Sequence, residues 1–110
     1  MFDDAAPYEP SSHHGVVNRL LAGRARGGVT TVSVWHGRLV PGGGSDLHVH
    51  QHSVQVYVGV TGTISVSDGE NPVTLGAGDT AIIPAGELHD VHNRGNADAT
   101  LLVISAPALR

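Results

Sequence analysis

From Val29 onward the chain alternates apolar and polar positions over runs too short for helices. Thr30 to Val40 is rich in β-branched residues and alternates roughly with period two. Leu47 to Val60 divides into two strand-like pieces with a break near Gln51 to Ser53. Thr63 to Ser67, Val73 to Leu75, Thr80 to Ile83, Leu88 to Asn93 and Ala99 to Ile104 complete the set. Turn residues separate these runs: Pro41-Gly42-Gly43-Gly44-Ser45, Thr61-Gly62, Asp68-Gly69, Gly76-Ala77-Gly78-Asp79 and Arg94-Gly95-Asn96. Asp68-Gly69 is a hairpin signal, and Pro84 ends the ladder that Thr80 begins. About eight short strands at even spacing predict an antiparallel sandwich or barrel.

The first 28 residues differ. Residues 1 to about 15 read as an irregular arm broken by Pro7, Pro10, Ser11 and Ser12. His13 and His14 fall in this arm and read as part of a solvated loop; the other reading, a lid or dimer contact reaching a metal pocket, has no spacing argument behind it. Val16 to Ala25 fits a short helix or an edge strand, with Val16, Leu20 and Leu21 as its apolar face. The predicted organisation is an arm with a short element over 1–28, a possible dimer contact, and a single barrel domain over 29–106.

Composition narrows the chemistry. The 110 residues suit one domain, 40% of them are hydrophobic, and there are 15 glycines and no cysteine. Disulfides and thiolate metal sites are therefore excluded, leaving imidazole, amide or carboxylate ligands. All six basic residues are arginine and the net charge is −4. Without lysine there is no Schiff-base chemistry on a lysine amine, and without a basic patch nucleic acid is not an expected partner. No apolar run reaches membrane-spanning length, and Met1-Phe2-Asp3-Asp4 is acidic where a signal peptide is basic. The expectation is a cytoplasmic protein with no membrane partner.

Two stretches carry candidate chemistry. The first is Gly42-x5-His48-x-His50-x4-Gln55-x6-Gly62, and the second is Gly78-x5-Pro84-x-Gly86-x2-His89-x3-Asn93. On a strand, His48 and His50 share a face, which suits a divalent ion that accepts nitrogen. Alone, such a pair is as well explained by a solvent-facing edge strand. Together and in this order, 15 residues apart between Gly62 and Gly78, the two stretches resemble the signature motifs of the cupin superfamily over about residues 29 to 105. The resemblance implies an all-β fold, the small cupin barrel (double-stranded β-helix or jelly roll), commonly as a homodimer.

It also implies one divalent transition metal per chain, with His48, His50, Gln55 and His89 as ligands. Gln55 stands where the family usually places a glutamate. An amide oxygen is a neutral, weaker donor, so the site keeps one more unit of positive charge and loses an obvious base. The other reading of Gln55 is packing beside a three-histidine site. His52 and Tyr57 are the candidate catalytic residues. His52 reads as an acid or base near neutrality or as a rim residue; Tyr57 shares the face of Gln55 and either donates to substrate or fills the barrel. His92 is expected to point outward and Glu87 to sit at the rim; Arg38 reads as a surface residue, or as a holder of a carboxylate substrate. Trp35 and His36 lie on opposite faces of the early strand, and which of them faces inward is left open, Trp35 being more often core than a stacking platform.

Three functions are compatible with this. The leading expectation is a non-redox metal enzyme (isomerase, cyclase or dehydratase) acting on a small organic substrate. The others are a metal-dependent dioxygenase of quercetinase type and a non-catalytic small-molecule or metal binding module.

Overall fold

A computed structural model describes Pro7, Tyr8 and residues 13–109. Among these residues there is no helix, and the chain forms nine strands: β1 (Pro7–Tyr8), β2 (His13–Ala22), β3 (Ser33–Ser45), β4 (Val54–Thr61), β5 (Ile64–Ser67), β6 (Pro72–Leu75), β7 (Thr80–Ile83), β8 (Asp90–His92) and β9 (Ala99–Ala106). The strands run in the order β6-β5-β8-β3-β9-β4-β7, with β2 also on β3 and β1 on β2. All these pairings are antiparallel. The sheet curls into a nearly closed barrel. No helix is long and apolar enough to cross a membrane.

The ladder through β3, β9 and β4 is regular. Ser33 to Leu39 pair one by one with Ser105 to Ala99, and Val54 to Gly59 pair with Ala106 to Leu101. Alternation puts Leu39, Tyr57 and Leu101 inside with 1–3% of their surface exposed. Trp35 is the buried member of the Trp35–His36 pair, and its indole N–H donates to the Leu109 carbonyl at 3.2 Å.

Two expectations need correction. The segment over Val16 to Ala25 is a strand and not a helix: β2 ends at Ala22, with β3 along one side and only the two residues of β1, opposite Asn18 and Arg19, on the other. The run Pro41 to Ser45 is not a turn between strands but the second half of β3. There the glycines bend the strand without ending it, since Gly42 adopts φ +81°. Beyond the bend Gly44 pairs with His92 of β8. A Cβ on Gly44 would collide with the Val91 carbonyl oxygen and the His92 ring. Glycine therefore serves here to let two backbones approach and join the barrel's two halves. The arm expected over residues 1–15 lies outside the described residues at 1–6 and 9–12.

Candidate metal centre

The site is built on backbone that leaves the regular ladder. Residues 46–53 connect β3 to β4, and residues 84–89 connect β7 to β8. The two connections pair at one point: His48 N–H donates to His89 O at 2.9 Å, and His89 N–H donates to His48 O at 3.0 Å. Gly86 N–H donates to His50 O at 2.9 Å. Pro84 and Gly86, the latter at φ +82°, turn the chain so that this pairing forms. Period two then carries Val91 and Asn93 inward with His89, and all three are buried.

This pairing gathers three imidazoles. Ring centroids lie 4.4 Å apart for His48 and His89, 5.0 Å for His48 and His50, and 5.4 Å for His50 and His89. Their ligand atoms all fall within 4.8 Å of one another, a group that can hold a metal ion. His48 Nδ1 lies 2.8 Å from Asp46 O, and His89 Nδ1 lies 3.0 Å from Glu87 O. A carbonyl oxygen only accepts, so each Nδ1 carries the hydrogen and each Nε2 keeps its lone pair. His89 Nε2 is buried without a hydrogen-bond partner, which is costly for a polar atom unless something else satisfies it.

Electrostatics favour the metal-binding form. Burial pulls His50 down to about 4, with repulsion from His48, His89 and His13 adding to it. Burial also lowers His89, against the Glu87 carbonyl that favours its protonated form. Neutral imidazoles with free lone pairs are what a transition metal requires.

Beside them lies a cavity of about 180 Å³ lined by His13, His48, His50, Gln55 and Tyr57 on its polar side. Val16, Leu39, Val91, Leu101 and Val103 supply apolar wall. Gln55 is buried and fixed at both ends: its Nε2 donates to Ser105 Oγ at 3.1 Å, and its Oε1 accepts from the Tyr57 hydroxyl at 3.2 Å. Burial, and then the charge of Asp90, raise the Tyr57 hydroxyl well above the ordinary phenol range. It is a hydrogen-bond donor rather than a proton source.

The remaining candidates fall elsewhere. His52 is exposed at the break before β4 and does not line the cavity. Glu87 is exposed. His92 faces away from His89, near Asp90 and His14. Arg38 is on the surface, its Nε donating to Asp98 at 2.9 Å. Asn93, the last residue of the second motif, is structural: its Nδ2 donates to Leu39 O and Ala97 O, and its Oδ1 accepts from Gly95 N–H.

The solvated-loop reading of His13 is overturned. His13 belongs to β2, lines the cavity, and its ring centroid stands 5.4 Å from that of His48. The sequence reading passed over it because it lies outside both motifs. The available signal was the spacing of His13 to Val16 around Gly15, which breaks simple alternation.

Known proteins bear on the fold and the cluster. The cupin domain profile matches residues 35–105. An oxalate-binding protein of Thermotoga maritima is 31% identical over 67 residues, covering 61% of this chain and 55% of that protein. Germin-like protein 3-5 of Oryza sativa subsp. japonica is 33% identical over 86 residues, covering 69% of this chain and 38% of that protein. The chain thus spans little more than half of the one and well under half of the other. A crystal structure of a predicted oxalate decarboxylase from Thermotoga maritima superposes with a TM-score of 0.83 at 24% identity, covering 99% of this chain and 97% of that one. With two thirds of its length inside the matched domain, a barrel to fit it, and three histidines able to hold a metal, this chain belongs to the cupin family.

Proposed function

We propose that this protein is a metal-dependent enzyme of non-redox type, an isomerase, cyclase or dehydratase, acting on a small and partly apolar organic molecule. The observation that carries the reading is the ligand set: three clustered imidazoles, two with Nδ1 bound to a backbone carbonyl, beside an amide instead of a carboxylate. His48, His50 and His89 would hold the ion through nitrogen, and Gln55 lines the cavity beside them with its amide engaged by Tyr57 and Ser105. A divalent transition metal held there supplies a Lewis acid for a carbonyl or enolate oxygen, stabilising charge that develops in the transition state.

The chain's own groups then define the reaction space. Gln55, locked between Tyr57 and Ser105, adds no negative charge and no base. The apolar walls exclude water from the reacting oxygen and strengthen each polar contact made there. Among the described residues no arginine lines the cavity, so a substrate's far end meets apolar side chains. That favours a ligand with one oxygen-bearing end and an apolar body over a small dianion such as the oxalate for which the Thermotoga relative is named.

The test is turnover of enolisable carbonyl compounds by metal-loaded protein under argon, beside oxygen uptake in air. Metal-dependent turnover under argon without oxygen uptake is expected. Metal-dependent oxygen uptake with a flavonol or catechol substrate would replace this reading by the dioxygenase one.

A further inference from the structure

Strand β2 brings a fourth histidine to the cavity by an irregularity in its pairing. His13 pairs with Ser45, a fully buried residue whose Oγ accepts from Val91 N–H at 3.2 Å. Directly cross-strand residues share a face, so His13 points inward. Three residues on, Val16 is also inward and buried, opposite Leu39. Period two cannot place both positions inside. The register slips between His14 and Val16, where Gly15 alone faces the bend of β3 from Val40 to Gly43. Gly15 adopts φ +62°, and a Cβ there would stand 2.8 Å from Val40 Cγ2 and 3.1 Å from Gly43 Cα. Bulges of this kind re-aim side chains beside active sites. Without the slip, His14 would face the cavity and His13 the solvent.

We infer that His13, aimed by the Gly15 irregularity, donates a hydrogen bond to an oxygen of the ligand bound at the histidine cluster. This rests on the proposed metal reading and adds a contact from outside both motifs. His13 is not grouped with His48, His50 and His89 as a ligand, yet its ring lies beside His48 on the cavity side. It lines the same cavity as His48 and His50. An imidazole N–H there would reach one oxygen of a ligand whose other oxygen an ion held by the three histidines would take. The ligand class that satisfies both is one with two adjacent oxygens, such as a carboxylate, an enediol or a hydroxamate. His13 is thereby a substrate-contacting residue and Gly15 a positioning residue.

The experiment uses full-length protein loaded with Co(II), with acetohydroxamate as the two-oxygen probe and the visible absorption of cobalt as the readout. The His13→Ala variant should bind Co(II) as the parent does and show the same spectrum before the probe is added. Its acetohydroxamate Kd should rise about tenfold, the 1.4 kcal/mol typical of one hydrogen bond to a charged acceptor. His13→Gln, which keeps an N–H donor, should recover most of that loss. Gly15→Ala, which keeps His13 but strains its placement, should lose probe affinity without losing cobalt. An unchanged Kd in His13→Ala overturns the proposal. A changed cobalt spectrum or lost cobalt in His13→Ala, before any probe, also overturns it by making His13 a ligand. Failure of the parent to bind cobalt would instead sink the metal reading underneath.

Discussion

The ladder of β3, β9 and β4 and the connections that carry the histidines obey different rules. In the ladder, seven consecutive β3 residues pair without a slip, and each side chain's direction follows from its neighbour's. At the histidines, single bridges, positive-φ glycines and short backbone bonds fix direction one residue at a time. The regular part supplies stability and wall. The irregular part supplies atoms that point where alternation alone would not send them.

That contrast can be broken most strongly from the ladder side. Leu101→Ala, which empties a fully packed wall position, should cost about 3 kcal/mol of stability. It should leave metal stoichiometry unchanged. Urea unfolding of the metal-free protein and elemental analysis of the loaded protein together check both halves; loss of metal binding would mean the two regions are not separable.

How far each region was legible in the sequence follows from the same contrast. The ladder strands were readable because Thr30 to Val40 is rich in β-branched residues with rough alternation, and Ala99 to Ile104 is a short apolar run after the turn residues Arg94 to Asn96. Of the two strand-like pieces expected in Leu47 to Val60, only the second is a strand, β4; residues 46–53 lie outside strands, with His48 held by a single bridge to His89. Pro41 to Ser45 misled because glycine runs usually end strands, whereas here close approach to β8 is what requires them. His13 was set aside for a related reason: its direction depends on the pairing of Gly15 with a bent β3, a long-range fact that the local spacing around Gly15 does not by itself reveal. The partners of Gln55 were half legible. Tyr57 shares its face by period two, but Ser105 arrives from a strand 50 residues away.

Smaller effects sharpen the comparison. Gly44→Ala forces a Cβ into the β8 backbone and should cost about 2 kcal/mol, with reduced metal occupancy because β3 and β8 flank the site. Equal loss of stability with full occupancy would separate the bend from the site. Gln55→Glu places a carboxylate among buried groups. The metal-free variant should lose about 2 kcal/mol of stability, while metal affinity rises roughly tenfold, as competition with a chelator would read.

Acid should act through the histidines rather than the ladder. His50 ionises at about 4 in the folded chain against 6.5 as its ordinary value. Between these values the unfolded chain takes up a proton that the folded chain refuses, so stability falls as pH drops from 6.5 toward 4. Metal-free protein should show this loss in urea melts, and His50→Ala should show less of it. A parent melt independent of pH across that window would contradict the assigned burial. The smallest effect belongs to the surface: Arg38→Ala removes a pair whose side chains are 63% and 38% exposed and should cost about 0.5 kcal/mol or less.

If His48, His50 and His89 form a metal centre, removing two of the three should empty it. Elemental analysis of the purified chain beside the His48→Ala/His89→Ala double variant reads this out. One transition metal per parent chain and none in the variant is expected, with both proteins folded by circular dichroism. Equal metal content in the two, or none in the parent even after reconstitution, would contradict it.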